Sequence, residues 1–231
     1  MKKNNINKFQ LSIFLLAIFL FSACKKETTT LSEVDLGYDY FPIELGTYLE
    51  YKADSIVYDD FTGTIDTLSF YIREEFTEIF QDQLDRETYR IERYTKQNLN
   101  DNWIGPVIWT ANLTPERAER TEENIKYVKL TFPTREFNSW NGNDFNNLSD
   151  ETYTYEYVGE TEQIGDRVYE EVLKVQQAEI FNLLRNANYY EKYALGFGLV
   201  ERTFIDVQTE IDGTIRSGSQ YSQILIEKGT L

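Results

Sequence analysis

Thr47-Tyr48-Leu49-Glu50-Tyr51-Lys52-Ala53-Asp54-Ser55-Ile56-Val57-Tyr58 puts Leu49, Tyr51, Ala53 and Val57 on one face of an extended chain. Glu50, Lys52 and Asp54 fall on the other. Side chains of a strand point alternately to its two faces, so this period of two predicts a half-buried β-strand. A turn is expected at Asp59-Asp60-Phe61-Thr62-Gly63, and the alternation then resumes with Leu68, Phe70, Ile72 and Phe76 inward. Ser69, Tyr71, Arg73 and Glu75 face the other way.

The pattern continues outward from this hairpin. Glu87 to Lys96 and Asn102 to Ala111 read as strands, and Val128, Leu130 and Phe132 form an inward face closed by Pro133. Tyr153, Tyr155 and Tyr157 share one face of the next strand. Gly165-Asp166 is a hairpin signal ahead of Val168, Val172 and Leu173. Leu199, Thr203, Ile205 and Val207 read as one further apolar face. Asp212-Gly213 marks another hairpin, and Ile224 and Ile226 close the domain. Two stretches are ambiguous. Thr114-Pro115-Glu116 offers a helix start, but the neighbours alternate, so an edge strand through Arg117 to Thr121 is preferred. Glu179 to Ala187 is the best helix candidate, with Ile180, Leu183 and Leu184 on one side. The sum is an all-β fold, an antiparallel, strongly curved sheet or open barrel of about ten strands with at most one or two short helices. The strands pair apolar faces with charged ones, which argues against a lipid-facing barrel.

The amino-terminal stretch addresses location. Lys2, Lys3 and Lys8 precede Leu11 to Phe21, which is apolar except for Ser12; Ser22-Ala23 then leads to Cys24, the chain's one cysteine. A charged start, a short apolar run and small residues are the layout of a secretory signal, and the run is too short to span a bilayer. With cysteine directly after, the stretch resembles the lipobox of bacterial lipoproteins, Phe21 standing where leucine is usual. That resemblance implies cleavage between Ala23 and Cys24, a diacylglycerol on the Cys24 sulfur and an acylated amine. At about 0.8 kcal/mol per buried methylene, three acyl chains anchor the chain unaided. Residues 1–23 are then a signal peptide, 24–39 a lipidated cysteine with a flexible tether, and 40–231 a single β-rich domain. Lys25-Lys26-Glu27 resembles the surface-export signals of Bacteroidota lipoproteins, which carry more acidic residues, so both sides of the outer membrane stay open.

Charge narrows the partners. The 231 residues hold 23 Lys and Arg against 39 Asp and Glu, for a net charge of −16. The leader carries three of the basic residues and none of the acidic ones, so the 208 residues that follow it carry −19. Such a surface repels nucleic acid and anionic headgroups. An aromatic content of 15% argues against disorder.

Several local patterns resemble a group of uncharacterised Bacteroidota lipoproteins. They are Tyr40-Phe41-Pro42 with Gly46, Tyr51 and Asp54-Ser55-Ile56, then Leu130-Thr131-Phe132-Pro133 with Trp140-Asn141-Gly142-Asn143. Tyr193-Ala194-Leu195-Gly196-Phe197-Gly198-Leu199-Val200 completes the set. The resemblance implies an all-β envelope domain and carries no activity. Read physically, Gly196 and Gly198 mark a bend into a core strand, and Trp140 with Asn141-Gly142 marks a turn pinned by a buried indole.

Reactive chemistry is sparse. The sequence has no histidine, which removes imidazole bases and most zinc or iron sites, and the one cysteine is assigned to lipid. No phosphate-binding glycine loop or G-x-S-x-G elbow is present. Carboxylate pairs such as Glu74-Glu75, Glu122-Glu123 and Glu170-Glu171 read as exposed strand or turn charges. Asn141-Gly142-Asn143-Asp144 with Asp150-Glu151 offers oxygen ligands for calcium, but in ordinary turn residues without EF-hand spacing, so neither a metal nor a cofactor is expected. Asp54-Ser55-Ile56 and Asp66-Thr67-Leu68 match the short O-glycosylation sequon of Bacteroidota proteins. Tyr153, Tyr155 and Tyr157, with Tyr189 and Tyr190, either stack a ligand or pack a core.

These observations point to a non-catalytic lipoprotein of the outer membrane, a tethered β domain that binds a small ligand or docks an envelope protein. The alternatives are a structural accessory subunit and a carbohydrate-active enzyme using two carboxylates.

Overall fold

The computed structural model describes residues 35–231. Cys24, the cleavage point after Ala23 and the Lys25-Lys26-Glu27 tract lie outside the described residues. Twelve strands follow one another: β1 (Thr47–Asp59), β2 (Thr64–Gln81), β3 (Glu87–Lys96), β4 (Ile104–Leu113), β5 (Arg117–Glu122) and β6 (Ile125–Thr131). The second half holds β7 (Ser139–Asn141), β8 (Thr152–Ile164), β9 (Arg167–Phe181), β10 (Arg185–Ala194), β11 (Gly198–Thr209) and β12 (Ile215–Thr230). Helical structure among the described residues is confined to one 3-10 turn, Tyr38–Tyr40.

The count of about ten strands is therefore low by two. One missed strand, β7, is three residues long. The other, β10, occupies part of the expected helix. Glu179 to Ala187 is instead the end of β9, a turn, and the start of β10. The apolar residues that mimicked a helical stripe project from that turn: Leu183 and Leu184 are 70% and 63% exposed. The strand preferred over a helix at Arg117 to Thr121 is present, but it is not an edge, since it pairs with both β4 and β6.

All pairings are antiparallel, in the order β6-β5-β4-β3-β2-β1-β12-β11-β10-β9-β8-β7, so the first and last strands meet in the middle of the sheet. The sheet curls until its two ends almost join. The Val128 amide donates to Gly142 O at 2.9 Å, and the Trp140 indole Nε1 donates to Val128 O at 2.9 Å. Tyr155 Oη donates to Thr131 O at 2.8 Å and accepts from the Thr131 amide at 2.9 Å. Asn146 Nδ2 donates to Lys126 O. These side chains satisfy backbone groups of β6 that would otherwise be an open edge. The result is a nearly closed barrel.

The opening alternation holds from Leu49 to Ala53 and at Ile72 and Phe76, whereas Val57 and Leu68, expected inward, lie towards the strand ends and are 45% and 47% exposed. Tyr51 and Ala53 are fully buried, and they share the inner face with Ile72, Ile91, Trp109, Leu173 and Tyr193. Glu50, Lys52, Arg73 and Glu75 lie on the outer face. The chain enters at what is here termed the near end, where Gly196 in the β10–β11 turn donates to Asp39 O at 2.8 Å. Tyr38 packs edge-on against Phe132, with ring centroids 4.7 Å apart, and its hydroxyl donates to Pro115 O. Asp35 to Asp39, placed in the tether by the sequence reading, thus belong to the fold. The turns joining β1 to β2, β9 to β10 and β11 to β12 gather at the far end, the length of β11 away. Its twelve residues span about 40 Å.

Candidate functional site

Two features stand out against the apolar core, and they lie in different places. The first is a buried charge cluster inside the barrel. Glu74 contacts Arg120 at 3.0 Å and Arg93 at 3.8 Å. Glu122 contacts Arg202 at 2.8 Å and Lys129 at 3.2 Å. Glu191 contacts Lys129 at 2.9 Å and Arg202 at 2.7 Å, and accepts from the Tyr193 hydroxyl at 2.6 Å. Arg93 lies over the Trp109 ring at 4.1 Å. The expectation that Glu74 and Glu122 are exposed charges is thus corrected. Glu74 is 1% exposed because its position, between Ile72 and Phe76, is inward by the same alternation. Simple period two would place Lys129, which lies between Val128 and Leu130, outward. It is the extra residue of a bulge, since Ala118 faces Leu130 while Glu119 faces Val128, and this lets its side chain reach the interior.

Burial raises the carboxyl groups of Glu122 and Glu191, but the Arg202 and Lys129 charges outweigh it and bring both well below the usual carboxylate range. A general acid requires the opposite shift. Each of these carboxylates is already saturated by cations from other strands, so the cluster works as a cross-brace joining β5 and β6 to β10 and β11.

The second feature is a cleft at the far end, on the outer face. Its walls are the β9–β10 and β11–β12 turns and its floor is β11, with Phe181, Leu183, Ile205, Val207, Ile211 and Ile215 as the apolar lining. The cleft volume is about 480 Å³, within the range of small-ligand sites. Asn182, Asn186, Thr209 and Gln220 add polar groups, and Glu210 is the one ionisable side chain in the lining. A smaller trough of about 110 Å³ adjoins it, sharing Ile205 and Gln220 and reaching Ile56 and Thr203.

Local chemistry sets both walls. Asn182 Oδ1 accepts from the Leu184 and Arg185 amides, a side-chain-closed turn. Thr209 ties that turn to β11, its hydroxyl donating to Leu183 O and its amide to Leu184 O. Asp212 Oδ1 accepts from the Thr214 amide in the facing turn. Val207 is 2% exposed at the floor, whereas Phe181 and Ile211 on the walls are 84% and 77% exposed. The sequence reading took Leu199, Thr203, Ile205 and Val207 as one core face. Ile205 and Val207 in fact lie on the outer face, because Arg202 and Phe204 turn inward, Phe204 stacking on Tyr189 at 4.3 Å. The signal for the cleft was present as apolar residues beside turn-forming Asn182 and Asp212-Gly213, where a solvated hairpin would carry polar ones.

The candidate ligand tyrosines separate. Tyr153 and Tyr155 are buried on the inner face, Tyr155 with its ring 4.7 Å from that of Trp140. Tyr157 lies on the outer face, its hydroxyl donating to Glu162 at 2.6 Å. Their rings form no shared cup. Trp140 pins its turn as the sequence suggested, and Gly142 is needed because the Tyr153 ring would lie 2.3 Å from any Cβ placed there. In the Asn-rich loop, Asn141 Oδ1 accepts from the Asn143 and Glu151 amides, and Asn143 Nδ2 donates to Ser149 O. These side chains close turns. Of the sequon hydroxyls, Thr67 is exposed, while Ser55 is half-buried opposite Leu68. A third opening, about 430 Å³, lies where Gly165 approaches Ile224, and places Asp54 and Asp166 with Lys52 and Arg167 in one groove.

No family model matches the chain, and no curated protein matches it. Two solved structures do. One is an inferred exported protein with a YmcC-like fold from Bacteroides fragilis NCTC 9343, at 10% identity and TM-score 0.45, covering 82% of this chain and 98% of that one. The other is an inferred lipoprotein from Parabacteroides distasonis ATCC 8503, at 12% identity and TM-score 0.41, with the same coverages of 82% and 98%.

Proposed function

We propose that the protein is a non-catalytic outer-membrane lipoprotein, held through Cys24, whose β domain binds at the far-end cleft. The observation that carries this reading is an apolar cleft of about 480 Å³ with exposed apolar walls, at the end opposite the one where the chain enters. Exposed apolar surface of this kind marks an interaction site. Ten residues lie between Cys24 and Asp35, at most about 40 Å of chain. In this reading the lipid-anchored segment joins the domain at the near end, through Asp35 to Asp39, and the cleft at the other end meets an envelope protein or ligand. The lining offers no nucleophile paired with a base.

The carbohydrate-active reading stands second, on the groove that holds Asp54 and Asp166. Two carboxylates in one groove are its minimum requirement, but Lys52 and Arg167 line the same groove, and no aromatic side chain lines it to stack a sugar ring.

The test is expression with the native leader, followed by membrane fractionation and mass analysis of the amino terminus. The expected result is an acylated Cys24 as first residue in the outer-membrane fraction, and loss of that fraction in Cys24→Ser. A wild-type chain released without lipid would end the proposal.

A further inference from the structure

We infer that the far-end cleft docks a protein segment carrying apolar side chains between basic ones. This deepens the reading of the cleft as a binding site and rests on it. The three far-end hairpins, residues 56–68, 178–188 and 203–220, contain seven acidic residues and two arginines. Both arginines are already engaged: Arg185 pairs with Asp206 at 2.9 Å, and Arg216 pairs with Asp60 at 2.8 Å. The cleft is thus an apolar trough in a field of net charge −5, with Glu179, Asp59, Asp66 and Asp212 among the acids left over. Apolar contact supplies the attraction at the trough, and the surrounding field selects the sign of the partner's charge.

That field also weighs against the other occupants. A second copy would bring an equally acidic face, and anionic headgroups would be repelled at the range of the Debye length. A peptide segment with lysine or arginine flanking leucine-like side chains satisfies both requirements. Phe181, Leu183 and Ile211 project far enough to interleave with such side chains.

The test uses the mature lipoprotein in nanodiscs of neutral phosphatidylcholine, with empty nanodiscs as the blank. Three short fluorescent peptides are titrated: alternating lysine and leucine, lysine and serine, and glutamate and leucine. The lysine–leucine peptide is expected to bind at least about tenfold more tightly than either control. Its binding should weaken with salt, and about tenfold in the combined variant Phe181→Ser, Leu183→Ser and Ile211→Ser. All three side chains are exposed, so an unchanged Tm verifies the fold. Equal binding of the lysine–serine peptide, or indifference to the triple variant, would overturn the inference. Equal binding of the glutamate–leucine peptide would overturn the partner's charge and leave the apolar cleft standing. Failure of both leucine peptides would remove the cleft as a docking site as well. Self-association abolished by the same triple variant would assign the face to a second copy and overturn the inference.

Discussion

The Lys129 ammonium and the Glu191 carboxylate meet 2.9 Å apart inside the barrel, although 62 residues separate them in the chain. β6 and β10 are not neighbours in the sheet, so this pair spans the interior. A buried ion pair adds little net stability compared with apolar residues of the same size, but breaking one is costly because it strands a buried charge. Lys129→Met is expected to destabilise the domain by about 3 kcal/mol in urea unfolding. Lys129→Met combined with Glu191→Leu should cost less than the two single changes added together, by about 1 kcal/mol or more. Strict additivity would show that the pair is not coupled.

Acid should unfold the protein through the same cluster. Glu122 and Glu191 have carboxyl groups depressed below their ordinary value of 4.5, burial being outweighed by the Arg202 and Lys129 charges. The unfolded chain therefore binds more protons than the folded one below that value, and stability falls as pH falls. Urea midpoints are expected to hold steady from neutrality to about pH 5 and to drop progressively below it. The drop should be shallower in Lys129→Met. A midpoint that stays flat to pH 3 would contradict this role for the cluster.

The seam between the sheet ends makes a separate prediction. Tyr155→Phe removes one hydroxyl that serves both the Thr131 amide and the Thr131 carbonyl. Leaving buried polar groups unpaired costs about 1–3 kcal/mol, so the loss in urea stability should fall in that range. A change within error would mean that water replaces the hydroxyl without cost.

Two glycines in one hairpin should behave differently. A Cβ at Gly218 would stand 2.1 Å from Asp206 O, a backbone atom on the neighbouring strand, and φ there is +117°. Gly213 also has positive φ, +88°, but nothing lies within 4 Å. Gly213→Ala should cost only the local strain, about 1 kcal/mol. Gly218→Ala should cost clearly more, since β11 and β12 would have to part. Comparable Tm values for the two variants would count against this strand register.

Most of the fold was legible because inward and outward faces alternate over long strands, as at Leu49, Tyr51 and Ala53. The turns at Gly165-Asp166 and Asp212-Gly213 were legible for their own chemistry. The charge cluster was harder. Glu74 sat in plain alternation between Ile72 and Phe76, hidden by the assumption that charge means exposure. Lys129 was unreadable without knowledge of the bulge that turns it inward. The cleft misled in the opposite way: Leu183 and Leu184 imitated a helix stripe, and Ile205 and Val207 a core face, because apolar spacing alone does not say which side of a sheet is covered.

The most direct test of the account is thiol labelling in native envelopes. If the Cys24 sulfur carries lipid, a cysteine introduced elsewhere is the one free thiol in the chain. Maleimide reactivity would be compared at Leu183→Cys on the cleft wall and at Glu116→Cys near the chain's entry, each in envelopes and in the purified lipoprotein. The account predicts that envelopes slow labelling at position 183 and leave position 116 unchanged. Equal reactivity at position 183 in both settings would show that nothing occupies the cleft, and the far end would lose its claim to be the working surface.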